Sequence, residues 1–135
     1  MYLLDTNVCI RALNRSPGPL VDRFHAHAPG GIRVSAVTKA ELFYGARHSQ
    51  RVSENLQLLA AFFRPYISLP FDDLCAEYYG IIRADLTSRG QPIGHADLMI
   101  AATARAHDLT LVTHNVREFS RVVGLKIEDW EAETP

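Results

Sequence analysis

Met1-Tyr2-Leu3-Leu4-Asp5-Thr6-Asn7 opens the chain with an apolar run that stops abruptly at three polar residues. Residues 1–4 predict a buried strand, because a short unbroken apolar run is typical of strands covered on both faces. Asp5, Thr6 and Asn7 are residues that cap helices, and they predict a helix that runs on through Leu13. The stretch therefore predicts a strand that passes directly into a helix, with a carboxylate at the junction.

The same alternation continues along the chain. Apolar or β-rich runs predict further strands at residues 32–37, 66–69, 110–113 and 125–127. Helical spacing and cap residues predict helices at residues 20–28, 38–49, 56–63, 71–88 and 94–107, and a turn or short helix at 115–119. Thr38 is expected to cap the helix that begins there. Five short strands separated by helices, with no hairpin signal, predict an α/β fold with a parallel sheet.

Length and composition predict one domain over residues 1–135, since 47% hydrophobic residues are enough for a core of its own. The first apolar run ends at Asp5 without a preceding basic segment, and no later stretch approaches the length of a bilayer span. We therefore expect a cytoplasmic protein without a membrane segment. Cys9 and Cys75 lack metal-site spacing and are expected as small buried hydrophobic side chains.

The formal net charge of −1 does not by itself favour a nucleic-acid partner, because phosphate contacts usually require a basic surface. Four acids, however, lie within the last eight residues: Glu128, Asp129, Glu131 and Glu133. Without them 11 acids face 14 bases, so residues 1–127 carry a formal charge of about +3. Most of the bases are arginine, whose planar guanidinium suits phosphate oxygens. The body of the chain is thus compatible with binding RNA or DNA.

Polar residues follow two of the predicted strands. Asp5 follows the first, and Thr113-His114-Asn115 follow the strand at 110–113. In open parallel sheets, ligands bind outside the carboxyl ends of the strands, so both segments lie where chemistry is expected. For Asp5 a purely structural interpretation, as a helix cap, stays open.

Two further acids lie on predicted helices among apolar neighbours. Helical spacing places Glu41 with Val37, Ala40 and Tyr44, and it places Asp97 with Ile93, Ile100 and Ala101. A carboxylate on a core-facing stripe is costly to desolvate unless it is paired or binds a cation. The alternatives are a buried ion pair with an arginine for Glu41, and a favourable helix-dipole position for Asp97.

Three acids from separate segments would repel one another and raise one another's pKa values unless a cation lay between them. Mg²⁺ or Mn²⁺ takes oxygen ligands and is commonly held by one or two carboxylates together with substrate phosphate oxygens. Such an ion supports phosphodiester hydrolysis by activating water and stabilising the leaving oxygen. Asp5, Glu41 and Asp97 therefore predict metal-dependent hydrolysis of phosphodiester bonds.

Four sequence blocks together resemble the PIN-domain proteins of the VapC toxin family. They appear in the family's order and spacing, and they cover essentially the whole chain: Leu4-Asp5-Thr6-Asn7, Ala40-Glu41-Leu42-Phe43-Tyr44-Gly45, Ile93-Gly94-His95-Ala96-Asp97-Leu98-Met99-Ile100-Ala101-Ala102 and Leu111-Val112-Thr113-His114-Asn115-Val116-Arg117-Glu118-Phe119. The resemblance implies a three-layer sandwich in which helices flank a five-stranded parallel sheet. It also implies a Mg²⁺-dependent or Mn²⁺-dependent endoribonuclease that cuts structured RNA, often tRNA, and halts translation. A VapB-type antitoxin and a homodimer are implied as partners.

Carried over by position, the resemblance makes Asp5 and Asp97 the metal ligands and Glu41 a third acid that helps to hold the ion or position its water. Thr113 would orient ligands or water through its hydroxyl. Asn115 departs from the pattern, because many PIN domains have a fourth acid there; its amide can still bind, but a second metal ion is placed in doubt. Glu118 is a possible substitute, although we expect it as a solvated helix residue.

Other polar residues receive weaker predictions. His95 and His114 are expected in loops or in contact with RNA rather than as acid–base groups, and the remaining histidines as exposed helix positions. Six bases are candidates for holding phosphates at the rim of the acidic site: Arg11, Arg15, Lys39, Arg47, Arg83 and Arg89. The aromatic residues at 43–44, 62–63 and 78–79 are expected in the core or in subunit contacts, and the apolar helix at 56–63 is a candidate interface.

Three rival functions remain as alternatives. A phosphoryl-transfer enzyme with a phosphorylated Asp5 would require a second acid at the position of Asn7. A receiver-like switch domain would require paired acids after the first strand. A catalytically silent PIN-like module that binds RNA or protein is favoured by the net charge and by Asn115, and opposed by the three intact acids.

Overall fold

The computed structural model describes residues 1–14, 18–27 and 29–132. Within these ranges the strands are β1 (Tyr2–Leu4), β2 (Ile32–Ser35), β3 (Ile67–Leu69), β4 (Thr110–Val112) and β5 (Ile127–Glu128). The helices are α1 (Thr6–Asn14), α2 (Pro19–His27), α3 (Ala36–Arg47), α4 (Val52–Phe63), α5 (Asp73–Ser88), α6 (His95–Ala106) and α7 (Val116–Phe119). The predicted helix residue Ala28 lies outside the described residues.

All five strands form one parallel sheet in the order β3-β2-β1-β4-β5. β1 is central, with Tyr2 paired to Ile32 of β2 on one side and to Thr110 of β4 on the other. Because parallel strands end at the same edge, Asp5 after β1 and Thr113 after β4 lie next to each other. The predicted sheet, and the position of both residues at its carboxyl edge, are confirmed.

The sheet separates two hydrophobic clusters, as the alternation of side chains along a strand requires. Leu3 and Leu111 face one cluster, which they share mainly with residues of α5 and α6. Leu4 and Val112 face the other, which contains residues of α1 to α4 and Trp130. This arrangement confirms the three-layer sandwich.

The junction between β2 and α3 differs from its prediction. The strand ends at Ser35 and the helix begins at Ala36, so the predicted strand was two residues too long. Ser35 is the N-cap, because its backbone is extended and its Oγ accepts a hydrogen bond from the backbone N–H of Thr38 at 3.0 Å. The prediction that Thr38 caps this helix is wrong. The hydroxyl of Thr38 is instead available for tertiary contacts.

The segment after β5 is folded onto the body of the protein. Trp130 is 1% exposed, and its ring stacks on His27 and meets Tyr2 edge-on, with ring centroids 5.0 Å apart in both pairs. His27 is therefore half-buried rather than a fully exposed helix position. Glu133 lies outside the described residues.

Two smaller predictions can be compared directly with the structure. Cys9 and Cys75 are free thiols with no exposed surface, as expected for small hydrophobic side chains. None of the helices in the described ranges has the length and apolarity that a membrane span requires.

Candidate active site

Asp5 is 4% exposed and lies at the end of the central strand. Its Oδ1 accepts a hydrogen bond from the backbone N–H of Val8 at 2.8 Å, which caps α1, and its Oδ2 accepts one from the hydroxyl of Thr113. Burial raises the pKa of Asp5, while the hydrogen bonds from Thr113 and Val8 and the charge of Arg11 oppose the rise. Asp5 is thus both a helix cap and a carboxylate fixed at the sheet edge.

Thr113 has no exposed surface and connects the two loops at the edge of the sheet. Its hydroxyl donates to Asp5 and accepts a hydrogen bond from the backbone N–H of Asn115 at 3.0 Å. A hydroxyl has one proton, so donation to Asp5 leaves only its lone pairs for Asn115. Thr113 therefore fixes the orientation of the Asp5 carboxylate.

Glu41 also lies near Asp5, but it does so from the exposed face of α3 and not from the predicted buried face. The buried residues of α3 are Thr38, Leu42 and Ala46, whereas Glu41 is exposed and Tyr44 is 68% exposed. The predicted apolar stripe through Glu41 is wrong, because the inward face of the helix begins one position further along. The Glu41 Oε1 nevertheless accepts a hydrogen bond of 2.6 Å from the hydroxyl of Thr6, the residue after Asp5.

Asp97 lies in the first turn of α6, as predicted, and Ile100, Ala101 and Ala104 on that helix are fully buried. Asp97 itself is partly buried, and within the described ranges its carboxylate accepts no hydrogen bond from the protein. Burial, followed by the negative charges of Glu118, Asp5 and Glu41, raises its pKa to about 6. The structure therefore places Asp97 within electrostatic reach of both Asp5 and Glu41.

Asn115 and Glu118 lie at the start of α7, near Asp97. The Asn115 Nδ2 donates to Glu118 Oε2 at 3.1 Å. Glu118 is half-buried, and its charge raises the Asp97 pKa more than that of Asp5 or Glu41 does. Glu118 is thus a partly buried neighbour of Asp97 rather than the fully solvated helix residue that was expected. The three-residue spacing from Asn115, which places both on the turn that opens α7, was the signal available in the sequence.

The donor set fits a hard divalent cation. Asp5, Glu41, Asp97 and Glu118 offer carboxylate oxygens, and Asp97 has a raised pKa without a compensating donor from the described residues. No three of these carboxylates have oxygen atoms that all lie within 4.8 Å of one another, so they are neighbours rather than a closed set of ligands. A cation that binds between like-charged carboxylates lowers their mutual repulsion. Oxygen ligands favour Mg²⁺ or Mn²⁺ over metals that prefer nitrogen or sulfur.

The basic residues near this edge are partly neutralised by the chain itself. Arg11 forms an ion pair with Glu131, and Arg89 pairs with Asp85 at 2.7 Å. Lys39 lies over the ring of Phe63 and Arg83 over that of Tyr79. In the described part of the chain, neither Lys39, Arg47 nor Arg83 pairs with a carboxylate. Of the six predicted phosphate contacts, these three keep their charge free, while Arg15 lies outside the described residues.

The two histidines that flank the acids in sequence contact other groups. His95 Nδ1 lies 2.8 Å from the hydroxyl of Tyr79, and His114 Nδ1 lies 3.0 Å from Asp129 Oδ2. Neither imidazole hydrogen-bonds to Asp5, Glu41 or Asp97 in the structure. These contacts agree with the expectation that the histidines are not acid–base groups of the site.

Comparison with known proteins places this geometry in a family. The family model described as "PIN domain" matches residues 2–125. The chain is 42% identical to the tRNA(fMet)-specific endonuclease VapC of Shigella flexneri, over 96% of this chain and 97% of the relative. It is 40% identical to the ribonuclease VapC2 of Haemophilus influenzae, with the same coverage. The chain belongs to the VapC family of PIN-domain ribonucleases.

Solved VapC-containing complexes share the whole fold. The structure of DNA-bound VapBC from Salmonella typhimurium matches with a TM-score of 0.90 and 38% identity, covering 96% of this chain and 97% of that one. VapBC2 from Rickettsia felis, bound to a DNA fragment from its promoter, matches with a TM-score of 0.89 and 36% identity, covering 96% and 98%. The resemblance of the four sequence blocks to VapC is therefore confirmed.

Proposed function

We propose that this VapC-family chain is a divalent-metal-dependent endoribonuclease toxin that inhibits translation by cutting structured RNA. The observation that carries the proposal is the convergence of Asp5, Glu41 and Asp97 at the sheet edge, with the Asp97 pKa raised to about 6 by burial and by its acidic neighbours. Without a cation this arrangement costs free energy. A nuclease recovers that cost when Mg²⁺ or Mn²⁺ binds.

In the proposed mechanism Asp5 and Asp97 hold the ion, and Glu41 helps to hold it or orients the attacking water. Thr113 keeps the Asp5 carboxylate in one orientation, and Asn115 holds Glu118 beside Asp97. The bound ion would supply activation of water and stabilisation of the leaving oxygen. Because Asn115 lacks the negative charge of an acid at its position, we propose one tightly held ion, with any second ion arriving with the substrate.

The substrate and partners follow from the relatives as proposals. The name of the Shigella flexneri relative makes initiator tRNA the first RNA to test. The VapBC complexes support a VapB-type antitoxin as partner. We further propose one domain over residues 1–135, a homodimer and a cytoplasmic location. Leu58 is 57% exposed on α4, whereas Leu59 and Phe63 of the same helix are buried, so Leu58 marks the part of this candidate interface that is free.

The test is cleavage of a total small-RNA pool, followed by purified tRNA(fMet), with Mg²⁺ or with EDTA. Wild-type protein is expected to give discrete fragments that disappear with EDTA and in the Asp5→Asn and Asp97→Asn variants. Glu54→Gln serves as a matched control, because Glu54 is exposed on α4. If well-folded wild-type protein does not cut RNA with Mg²⁺, nor with Mn²⁺ in its place, the proposal fails in favour of the silent binding module.

A further inference from the structure

A chain of hydroxyl groups leads from the core to Glu41. Thr6 Oγ1 lies 2.6 Å from Glu41 Oε1 and 3.1 Å from Thr38 Oγ1. Thr38 Oγ1 lies 3.2 Å from Ser35 Oγ, which accepts the backbone N–H of Thr38 at 3.0 Å. Ser35 and Thr38 have no exposed surface, whereas Glu41 is exposed.

The carboxylate of Glu41 fixes the direction of every hydrogen bond in this series of hydroxyl groups. An ionised carboxylate only accepts, so the single hydroxyl proton of Thr6 points to Glu41. Thr6 can then only accept from Thr38, and Thr38 can only accept from Ser35. Hydrogen bonds aligned in this way polarise and strengthen one another. The cap that starts α3 is thus connected, through two threonines, to the carboxylate of Glu41.

Glu41 has no other means of being held in the described part of the chain. It lies on the exposed face of α3, and the hydroxyl of Thr6 is the only hydrogen-bond donor that its carboxylate contacts within the described ranges. A solvated glutamate side chain samples several rotamers, which costs free energy to restrict. Thr6 is itself fixed, because it follows Asp5 directly and contacts buried Thr38.

We propose that Thr6, supported by Thr38 and Ser35, is the positioning residue for Glu41 and orders its carboxylate beside Asp5 and Asp97 before metal and RNA bind. The inference rests on the proposed role of Glu41 in the nuclease. It assigns the positioning of Glu41 to Thr6 and not to Asp5. Thr113 orients the carboxylate of Asp5 in a comparable way, because its hydroxyl donates a hydrogen bond to Asp5 Oδ2.

The test compares Thr6→Val, which keeps the shape but removes the hydroxyl, with Thr6→Ser, which keeps the hydroxyl. Thr103→Val is the matched control, because Thr103 is buried and donates to the Met99 carbonyl away from the acids. Crystal structures of the metal-free proteins are expected to show Glu41 ordered in wild type and Thr6→Ser, and displaced in Thr6→Val. Calorimetric titration with Mn²⁺ is expected to show affinity about 10-fold weaker in Thr6→Val alone.

Two results would overturn the proposal: Glu41 in place in Thr6→Val with unchanged Mn²⁺ affinity, or equal losses in Thr103→Val and Thr6→Ser. If Thr6→Val does not fold, Thr38→Val breaks the preceding link and is expected to displace Glu41 in the same way. If wild-type protein neither cuts RNA nor binds Mn²⁺, the proposed function fails, but the position of Glu41 in the metal-free crystals still decides the positioning role.

Discussion

The carboxylates of Asp5 and Asp97 differ in their hydrogen bonding. Both oxygens of Asp5 accept a hydrogen bond from the protein, whereas the carboxylate of Asp97 accepts none from any described residue. Asp5 is therefore fixed before a ligand arrives, and Asp97 is the acid whose charge is least compensated. Substitutions around the two acids are expected to have different effects.

Replacing Thr113 by valine is expected to weaken both folding and cleavage. The buried Asp5 loses a hydrogen-bond donor, which costs about 1–3 kcal/mol of unfolding free energy, and its carboxylate loses a fixed orientation. Urea unfolding and single-turnover cleavage of RNA measure the two effects. Thr113→Ser, which keeps the hydroxyl, should behave like wild type; equal losses in both variants would show that the methyl group and not the hydroxyl matters.

Replacing Glu118 by glutamine is expected to lower the pKa of Asp97 from about 6 toward its ordinary value, because Glu118 is the largest charge contribution to the rise. A carbon-13 NMR titration of the Asp97 carboxyl in EDTA-treated protein measures this shift. Glu77→Gln, at an exposed position on α5, is the control and should leave the titration unchanged. An unchanged Asp97 pKa in Glu118→Gln would remove Glu118 from the site.

At the scale of elements, the segment after β5 is fixed by one side chain. Trp130 packs on the rings of Tyr2 and His27, and its neighbours Asp129 and Glu131 contact His114 and Arg11. With Glu128 in β5, three of the four acids that the sequence separated from the basic body are therefore part of the folded body. Glu131 neutralises Arg11, which leaves one free charge fewer for RNA than the sequence implied.

Truncating Trp130 to alanine is expected to destabilise the protein by about 3–5 kcal/mol, because a fully buried aromatic ring is lost from the second core cluster. Urea unfolding followed by circular dichroism measures the change. Trp130→Phe retains most of the packing and should cost clearly less. A loss below about 1 kcal/mol in Trp130→Ala would mean that the segment contributes little to folding.

At the scale of the whole molecule, the acidic site couples stability to pH and to metal. The folded-state pKa of Asp97 lies above its unfolded value of 3.8, so the folded state binds the proton more tightly. The stabilisation is present below about pH 4 and is lost as the pH rises through about 6. The raised pKa of Asp5 acts in the same direction.

Metal-free protein is therefore expected to lose this contribution to stability between about pH 4 and pH 6, and saturating Mg²⁺ should restore stability at higher pH. Thermal unfolding with EDTA and with Mg²⁺, at pH 4.5 and pH 7.5, measures both effects. Asp97→Asn should remove the part of the pH dependence that comes from Asp97 and reduce the effect of Mg²⁺. Identical Mg²⁺ stabilisation in wild type and Asp97→Asn would argue against an ion at this site.

The sequence by itself determined the sheet, most elements and the segments that carry the acids. Residues 1–7 were sufficient to predict β1, α1 and the carboxylate between them, because a short apolar run followed by cap residues has few other solutions. The parallel arrangement followed from helices between strands, and it placed Asp5 and Thr113 at one edge. The position of Asp97 in the first turn of a helix with a buried apolar face was also predicted correctly.

Only the tertiary structure decided how the side chains meet. Glu41 was selected for a buried stripe that does not exist, and it reaches the site through Thr6, a contact 35 residues apart in sequence. Glu118 was taken for a solvated residue, and the helix cap was assigned to Thr38 instead of Ser35. Local periodicity describes the faces of one helix, whereas these contacts depend on how α1, α3, α6 and α7 converge on the sheet, which no local pattern encodes.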